Sequence, residues 1–253
     1  MISVLIPTYD YNTLPLVTEL HQQLSAANIA FEIIVQDDAS PLNSNTDNNQ
    51  KINLLSNCRF ERNDTNLGRG QNRNALIQKA QFDWVLLMDC DMFPKSDRFI
   101  QNYIHQIQNS NHSVYFGGLQ YRAEKPEKSQ LLRWVFGKSR EEIPLSKRQS
   151  HPYDYCLISN LLIRKTVLVE HPFNTAIYQY GYEDLVFILA LIVRLLMLII
   201  ANLPLTSSAL ISPGKRHLPR NKRVNAWLQR LISRRPPQRS EERRVGKECL
   251  RLC

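Results

Sequence analysis

The chain has 253 residues, of which 43% are hydrophobic, enough to build one large core or two small ones. Its net charge of +9 is confined to the C-terminal part: residues 188–253 hold 14 Lys+Arg against 3 Asp+Glu (+11), and residues 1–187 hold 18 against 20 (−2), which argues against a nucleic-acid partner for the first three quarters. Three of the five cysteines, Cys58, Cys90 and Cys156, are scattered without metal-ligand spacing; nothing suggests a disulfide framework, and a reducing, cytoplasmic setting is the simplest reading.

Met1 leads directly into the apolar strand Ile2–Ile6, with no basic segment of the kind that opens a secretory signal. Thr13–Ala27 reads as a helix, with Thr13 as its N-cap and Leu14, Val17, Leu20 and Leu24 at helical spacing. A second strand covers Phe31–Val35 and is closed by Asp37 and Asp38. Asn43–Gln50 is polar and reads as a loop or loose helix, and Cys58–Arg62 as a third strand. Arg69–Ala80 follows as a helix with Ala75, Leu76 and Ala80 inward. Trp84–Met88 is an apolar run suited to a strand covered on both faces. A helix over Asp97–Gln108 and a strand over Ser113–Phe116 complete the readable part. Alternating strands and helices predict a mostly parallel sheet with helices on both sides. Region 119–180 carries no comparable pattern; a loop and a helix are expected there, with Arg122, Trp134 and Arg140 as candidate acceptor contacts.

In such a sheet, ligands gather at the carboxyl ends of the strands. There the first strand ends in "PTYD", the second in "QDDAS" and the fourth in "DCD". The first glycine is Gly68, so no glycine-rich loop follows the first strand, and the dinucleotide and phosphate-loop fingerprints are absent. Two acids one residue apart, Asp89 and Asp91, would share a face of an extended strand. They suit a divalent ion, Mg²⁺ or Mn²⁺, that also holds a diphosphate. The competing reading is an acidic turn before a helix capped near Ser96.

The ordered pieces "SVLIPTYD", "FEIIVQDDAS", "NLGRGQNRNALIQKA", "WVLLMDCDMF" and "YGYEDLVF" resemble those of family 2 glycosyltransferases with the GT-A fold, over residues 2–187. The resemblance implies a nucleotide-diphospho-sugar transferase domain, 1–187, with a mostly parallel central sheet flanked by helices. It implies transfer from a nucleotide-sugar, a UDP-sugar, to a saccharide or lipid-linked acceptor, with inversion and Mn²⁺ or Mg²⁺, in cell-envelope polysaccharide biosynthesis. Pro7 and Tyr9 would lie against the base, with simple packing as the alternative for Tyr9. Asp38 would accept a hydrogen bond from uracil beside Asp37, and either acid could equally cap a turn or helix. Arg73 would reach base or diphosphate, or be a solvated helix arginine. Asp89 would meet ribose or metal, and Asp91 the metal. Asp184 would be the general base and Glu183 would orient the acceptor; the alternative is a charged first helical turn.

After Phe187 the pattern departs from the family: no small residue follows, and His217 in "GKRHLPR" has surroundings unlike those of a metal ligand. Residues 239–249, "RSEERRVGKEC", resemble a translated sequencing adapter, so 239–253 is expected to be an adapter-derived tail and 188–238 an out-of-frame segment with a hydrophobic helix near 188–200. The rival is a membrane span over Leu185–Ala201, slightly short and interrupted by Arg194. Peripheral association at the inner face of a membrane is compatible with either reading. Three alternatives to an active transferase stand beside the first reading: a catalytically dead donor-binding fragment, a membrane-tethered polysaccharide synthase, and a nucleotidyltransferase, which the missing glycine-rich loop disfavours.

Overall fold

Six short, apolar segments pair into one sheet because each is rich in residues that fit a pleated, covered surface. The computed structural model describes residues 1–150, 155–176, 183–184 and 186–191. In chain order the strands are β1 (Ile2–Thr8), β2 (Phe31–Asp37), β3 (Cys58–Arg62), β4 (Trp84–Met88), β5 (Val114–Phe116) and β6 (Asn160–Arg164). The helices are α1 (Leu14–Ala26), α2 (Ser44–Gln50), α3 (Arg69–Lys79), α4 (Phe99–Asn109), α5 (Lys128–Arg140), α6 (Leu145–Ser150) and α7 (Lys165–Glu170), with a 3₁₀ turn at Lys51–Leu54.

The sheet order is β3-β2-β1-β4-β6-β5. The first four strands are parallel, as expected from the alternating pattern. β6 runs antiparallel to both of its neighbours, β4 and β5. It comes from the region whose sequence carried no readable pattern, and it separates two strands that follow one another in the chain. The period of two divides the strand side chains between two cores. Ile2, Val4, Ile6, Ile33, Val35, Leu86 and Leu162 pack on one face with α1 and α4. Leu5, Ile34, Val85, Leu87, Leu161 and Ile163 pack on the other, with α3, α7, Phe173 and Phe187. Helices therefore cover both faces, and only the strand ends remain for chemistry.

Several local expectations change. Thr13 makes no side-chain cap for α1; its hydroxyl donates instead to Asn49 Oδ1 at 2.9 Å, tying α1 to α2. The polar stretch before β3 is a helix because Asn43 caps it, accepting from the N–H groups of Asn45 and Thr46 at 3.0 and 3.3 Å. Ala75 is half-buried, and Gly70, Asn72, Arg73, Leu76 and Ile77 form the buried side of α3. Ile188 and Leu191, beyond the expected domain boundary at 187, are buried in the second core with Phe187. Of the expected out-of-frame segment 188–238, residues 192–238 lie outside the described residues, His217 among them, as does the expected adapter-derived tail 239–253.

Candidate functional site

The carboxyl ends of β1, β2 and β4 share one rim, because these strands are parallel neighbours in register. The amino end of β6 joins them, with Asn160 opposite Met88. β4 stops at Met88, so Asp89 and Asp91 do not belong to the strand. The strand-face argument for pairing them therefore fails. A turn brings them together instead, closed by Met92 N–H donating to the Asp89 carbonyl at 3.1 Å. The turn is anchored by Asp89 N–H donating to the Ser159 carbonyl at 3.2 Å, a partner supplied by the segment before β6.

Arg73 organises the centre of this rim. Its guanidinium donates to Asp89 Oδ1 at 3.0 Å and to Glu183 Oε1 at 3.1 Å. Its side chain is 6% exposed, so it is no solvated helix arginine. A buried acid, Glu183, and a half-exposed one, Asp89, held by one arginine fork form a charge-assisted network that joins residues 110 positions apart in the chain. Arg69, one helical turn earlier on α3, approaches Glu183 at 4.0 Å. Asp184 follows Glu183 on the same helical turn and is half-buried.

Below Arg73 lies an aromatic floor. Phe173 and Phe187 stack at 4.4 Å between centroids, and the Arg73 cation sits 5.7 Å from the Phe173 ring. Phe173 is fixed by Asn74, which donates to its carbonyl and accepts from its N–H, both at 2.9 Å. That segment lies directly against α3 at Gly70, where a Cβ would be in van der Waals contact with the Asn174 carbonyl oxygen at 3.4 Å. Asn74→Ala should cost about 1–3 kcal/mol, because two backbone groups lose their partner. Urea denaturation checks it, and an unchanged midpoint would remove Asn74 from this account.

The electrostatics of Asp91 are set by its surroundings in the rim. Crowding by the surrounding protein pushes its carboxyl up from the usual value of 3.8, and the like charge of Asp89 pushes the same way; Arg133 and Arg69 act against both. The residue nonetheless keeps an exposed surface. A divalent cation would reverse that repulsion directly. Among the described residues, no three His, Cys, Asp or Glu side chains converge on one metal position. Two carboxylates still fit Mg²⁺ or Mn²⁺, which take one or two protein carboxylates and complete their shell with phosphate and water.

The acids after β2 have other partners. Asp37 accepts from Ser40 N–H at 3.1 Å and from the Ser40 hydroxyl, and pairs with Arg62 at 3.4 Å. Burial pushes its carboxyl up, with the Ser40 bonds and Arg62 opposing. This is the geometry of a turn cap. Asp38 accepts from Asn63 Nδ2 at 2.9 Å and from the N–H groups of Leu67 and Gly68 at 2.8 and 2.9 Å. It ties the end of β2 to the loop that starts α3. A carboxylate has about four acceptor positions, so one remains for a ligand. Pro7 and Tyr9 are half-buried at the end of β1, with Pro7 opposite Gln36 of β2.

Arg69, Asn74, Arg133 and Phe173 carried no signal of their own in the sequence. Arg69 lies in the same "GRGQNRN" string as Arg73, one helical turn away, and that spacing could have found it. The structure also makes Trp134 and Arg122 partners of one another, with the indole N–H donating to the Arg122 carbonyl at 2.9 Å.

A doubly covered, mostly parallel sheet with acids and arginines at its carboxyl rim is the arrangement of the GT-A class of sugar-nucleotide transferase folds. The family model for glycosyl transferase family 2 matches residues 3–179, and the chain belongs to that family. No curated protein matches it. Among solved structures, glucosyl-3-phosphoglycerate synthase from Mycobacterium tuberculosis is similar at 16% identity and TM-score 0.51, over 77% of this chain and 66% of that one. TarS from S. aureus is similar at 23% identity and TM-score 0.50, over 74% of this chain and 32% of that one. The chain spans about half (53%) of the shorter S. aureus structure, TarS 1-349, which is 20% identical with TM-score 0.48. At these identities the likeness establishes the fold.

Proposed function

We propose that the chain transfers a sugar from a nucleotide-sugar donor, a UDP-sugar, to a hydroxyl of a saccharide or lipid-linked acceptor, with inversion at the anomeric carbon. The observation that carries this reading is the Arg73 bridge between Asp89 and Glu183, which couples the expected donor end of β4 to the expected acceptor acids. The M. tuberculosis relative was crystallised with Mn²⁺, UDP and glucosyl-3-phosphoglycerate, which supports a divalent ion and a uridine donor at this kind of rim.

In this reading Pro7 and Tyr9 receive the base, and the remaining acceptor position of Asp38 takes its ring N–H. Asp37 keeps the Asp38 turn in shape through Ser40. Asp89 and Asp91 would hold Mn²⁺ or Mg²⁺, which when bound neutralises charge on the departing diphosphate. Arg73 fixes Asp89 and Glu183 in one geometry. Glu183 in turn sets the helical turn that presents Asp184. Asp184 takes the proton from the acceptor hydroxyl while that oxygen bonds to the anomeric carbon and the bond to the diphosphate breaks. The nucleoside diphosphate leaves from the opposite face.

The test is calorimetric titration of UDP into the full chain. Mn²⁺ should tighten binding relative to EDTA, and Asp91→Ala should abolish that gain, at a cost of about 2–3 kcal/mol, or roughly a hundredfold. The gain should also fade in acid. Asp91 must be ionised to hold the cation, and its raised pKa means protons compete from a pH above its ordinary 3.8. Equal affinity in Mn²⁺ and EDTA would remove the metal from the reading.

A further inference from the structure

We propose that α5 docks flat on an anionic membrane surface. α5 is a 13-residue helix whose apolar side faces water. Leu132, Val135 and Phe136, spaced as one helical stripe, are 71%, 50% and 54% exposed, and Leu145 at the start of α6 is 59% exposed. The side turned toward the protein is Gly137, against which the Tyr121 ring lies, flanked by half-buried Leu131 and Trp134. A helix packed by its small residue with large apolar residues outward is the reverse of a core-facing helix.

The helix that carries the stripe is itself purely basic, with the acids Glu124, Glu127, Glu141 and Glu142 confined to its two ends. Between Lys128 and Arg140 there are four cations, Lys128, Arg133, Lys138 and Arg140, and no acid. Lys147 on α6 is also exposed. Glu127 and Glu141 stand at the two ends of α5, and Glu141 is engaged by Arg133 at 2.9 Å. Lys138 lies over the Trp134 ring at 4.8 Å, along the flank of the helix. An apolar stripe bordered by Lys and Arg fits the boundary between acyl chains and anionic headgroups. The helix is about 20 Å long by its rise per residue, too short to cross a bilayer. No described helix is long and apolar enough to cross one.

One flank of α5 faces the rim. Arg133 on α5 lies close enough to Asp91 for its charge to act on that carboxyl. Docking by α5 would bring the rim to the headgroup layer, where a lipid-linked acceptor hydroxyl is held in two dimensions. That last step rests on the glycosyltransferase reading; the membrane contact does not.

Co-sedimentation of the full chain with vesicles tests the contact without any activity assay. The chain should pellet with vesicles of phosphatidylcholine mixed with phosphatidylglycerol, and much less with phosphatidylcholine alone. K128A/R140A should weaken partitioning by roughly 25-fold, at about fivefold for each cation. L132S/F136S should weaken it by more than roughly tenfold through lost apolar burial. Both variants alter exposed side chains, so their thermal melting by circular dichroism should match the parent. Absent or charge-independent binding overturns the proposal. So does parent-like binding by both variants, which would place the contact elsewhere in the chain. A dimer in sedimentation velocity that L132S/F136S dissolves would assign the stripe to a second copy and overturn it as well.

Discussion

Asp184→Asn should turn over roughly 10²–10⁴-fold more slowly than the parent while binding UDP equally well. The amide keeps the size of the side chain and removes only its capacity to take a proton. Asp184 is half-buried on the helical turn of Glu183, and Arg73 holds that turn in place. The residues proposed to hold the donor are Asp89, which Arg73 bonds separately from Glu183, and those at the ends of β1 and β2, so UDP affinity should not change. Steady-state turnover with a UDP-sugar and calorimetry with UDP separate the two effects. Near-parent turnover would make Asp184 a helix-start acid. A parallel loss of UDP affinity would instead show that the turn had moved. Glu183→Gln is the less specific change, because it weakens a buried partner of Arg73 and disturbs position and charge together.

The second large effect is expected at Arg73. Arg73→Ala should destabilise the fold by about 3–5 kcal/mol, since it leaves a buried acid without its closest cation. Glu183 is 3% exposed, and Arg69 is a second cation near it, at 4.0 Å. The same change releases Asp89 and bares the Phe173 ring, so donor binding and turnover should both fall. Arg73→Lys should not rescue it. A single ammonium is a poor substitute for a planar fork that serves two separate carboxylates. Urea denaturation gives the stability change, and a loss below about 1 kcal/mol would return Arg73 to the surface-arginine class. Pairing Arg73→Ala with Glu183→Gln should recover part of the loss, because the buried charge is removed along with its partner.

Much of the frame was legible along the chain. The runs Ile2–Ile6, Phe31–Val35 and Trp84–Met88 are too apolar for anything but a doubly covered strand, and each sits within two residues of its observed boundary. The helix after β1 carries its own 3.6-residue apolar pattern, and alternation of strands and helices is enough to expect β1, β2, β3 and β4 to run parallel, even though the stretch that forms α2 is polar throughout. The acids after β2 and β4 stood out because charge does not end a buried strand by accident. β6 was not legible. Asn160–Arg164 is a five-residue segment within a region of mixed composition, and only its neighbours β4 and β5 make it a strand. The same holds for Asp38, whose three bonds to the loop at 63–68 depend on where that loop closes.

By itself, then, the sequence determined which residue types would stand at the ends of buried strands, because period, burial and charge are local properties that survive without a fold. Only the tertiary structure decided which of them meet. Arg73 was as consistent with a solvated helix face as with a site, and the packing of α3 against Phe173 turned it inward. Asp89 and Glu183 lie 94 positions apart, and no spacing rule relates them. They share one guanidinium because β4, α3 and the helical turn at Glu183 converge on the second core. Such convergence is set by the shape of the whole packed interior, which no stretch of chain encodes alone.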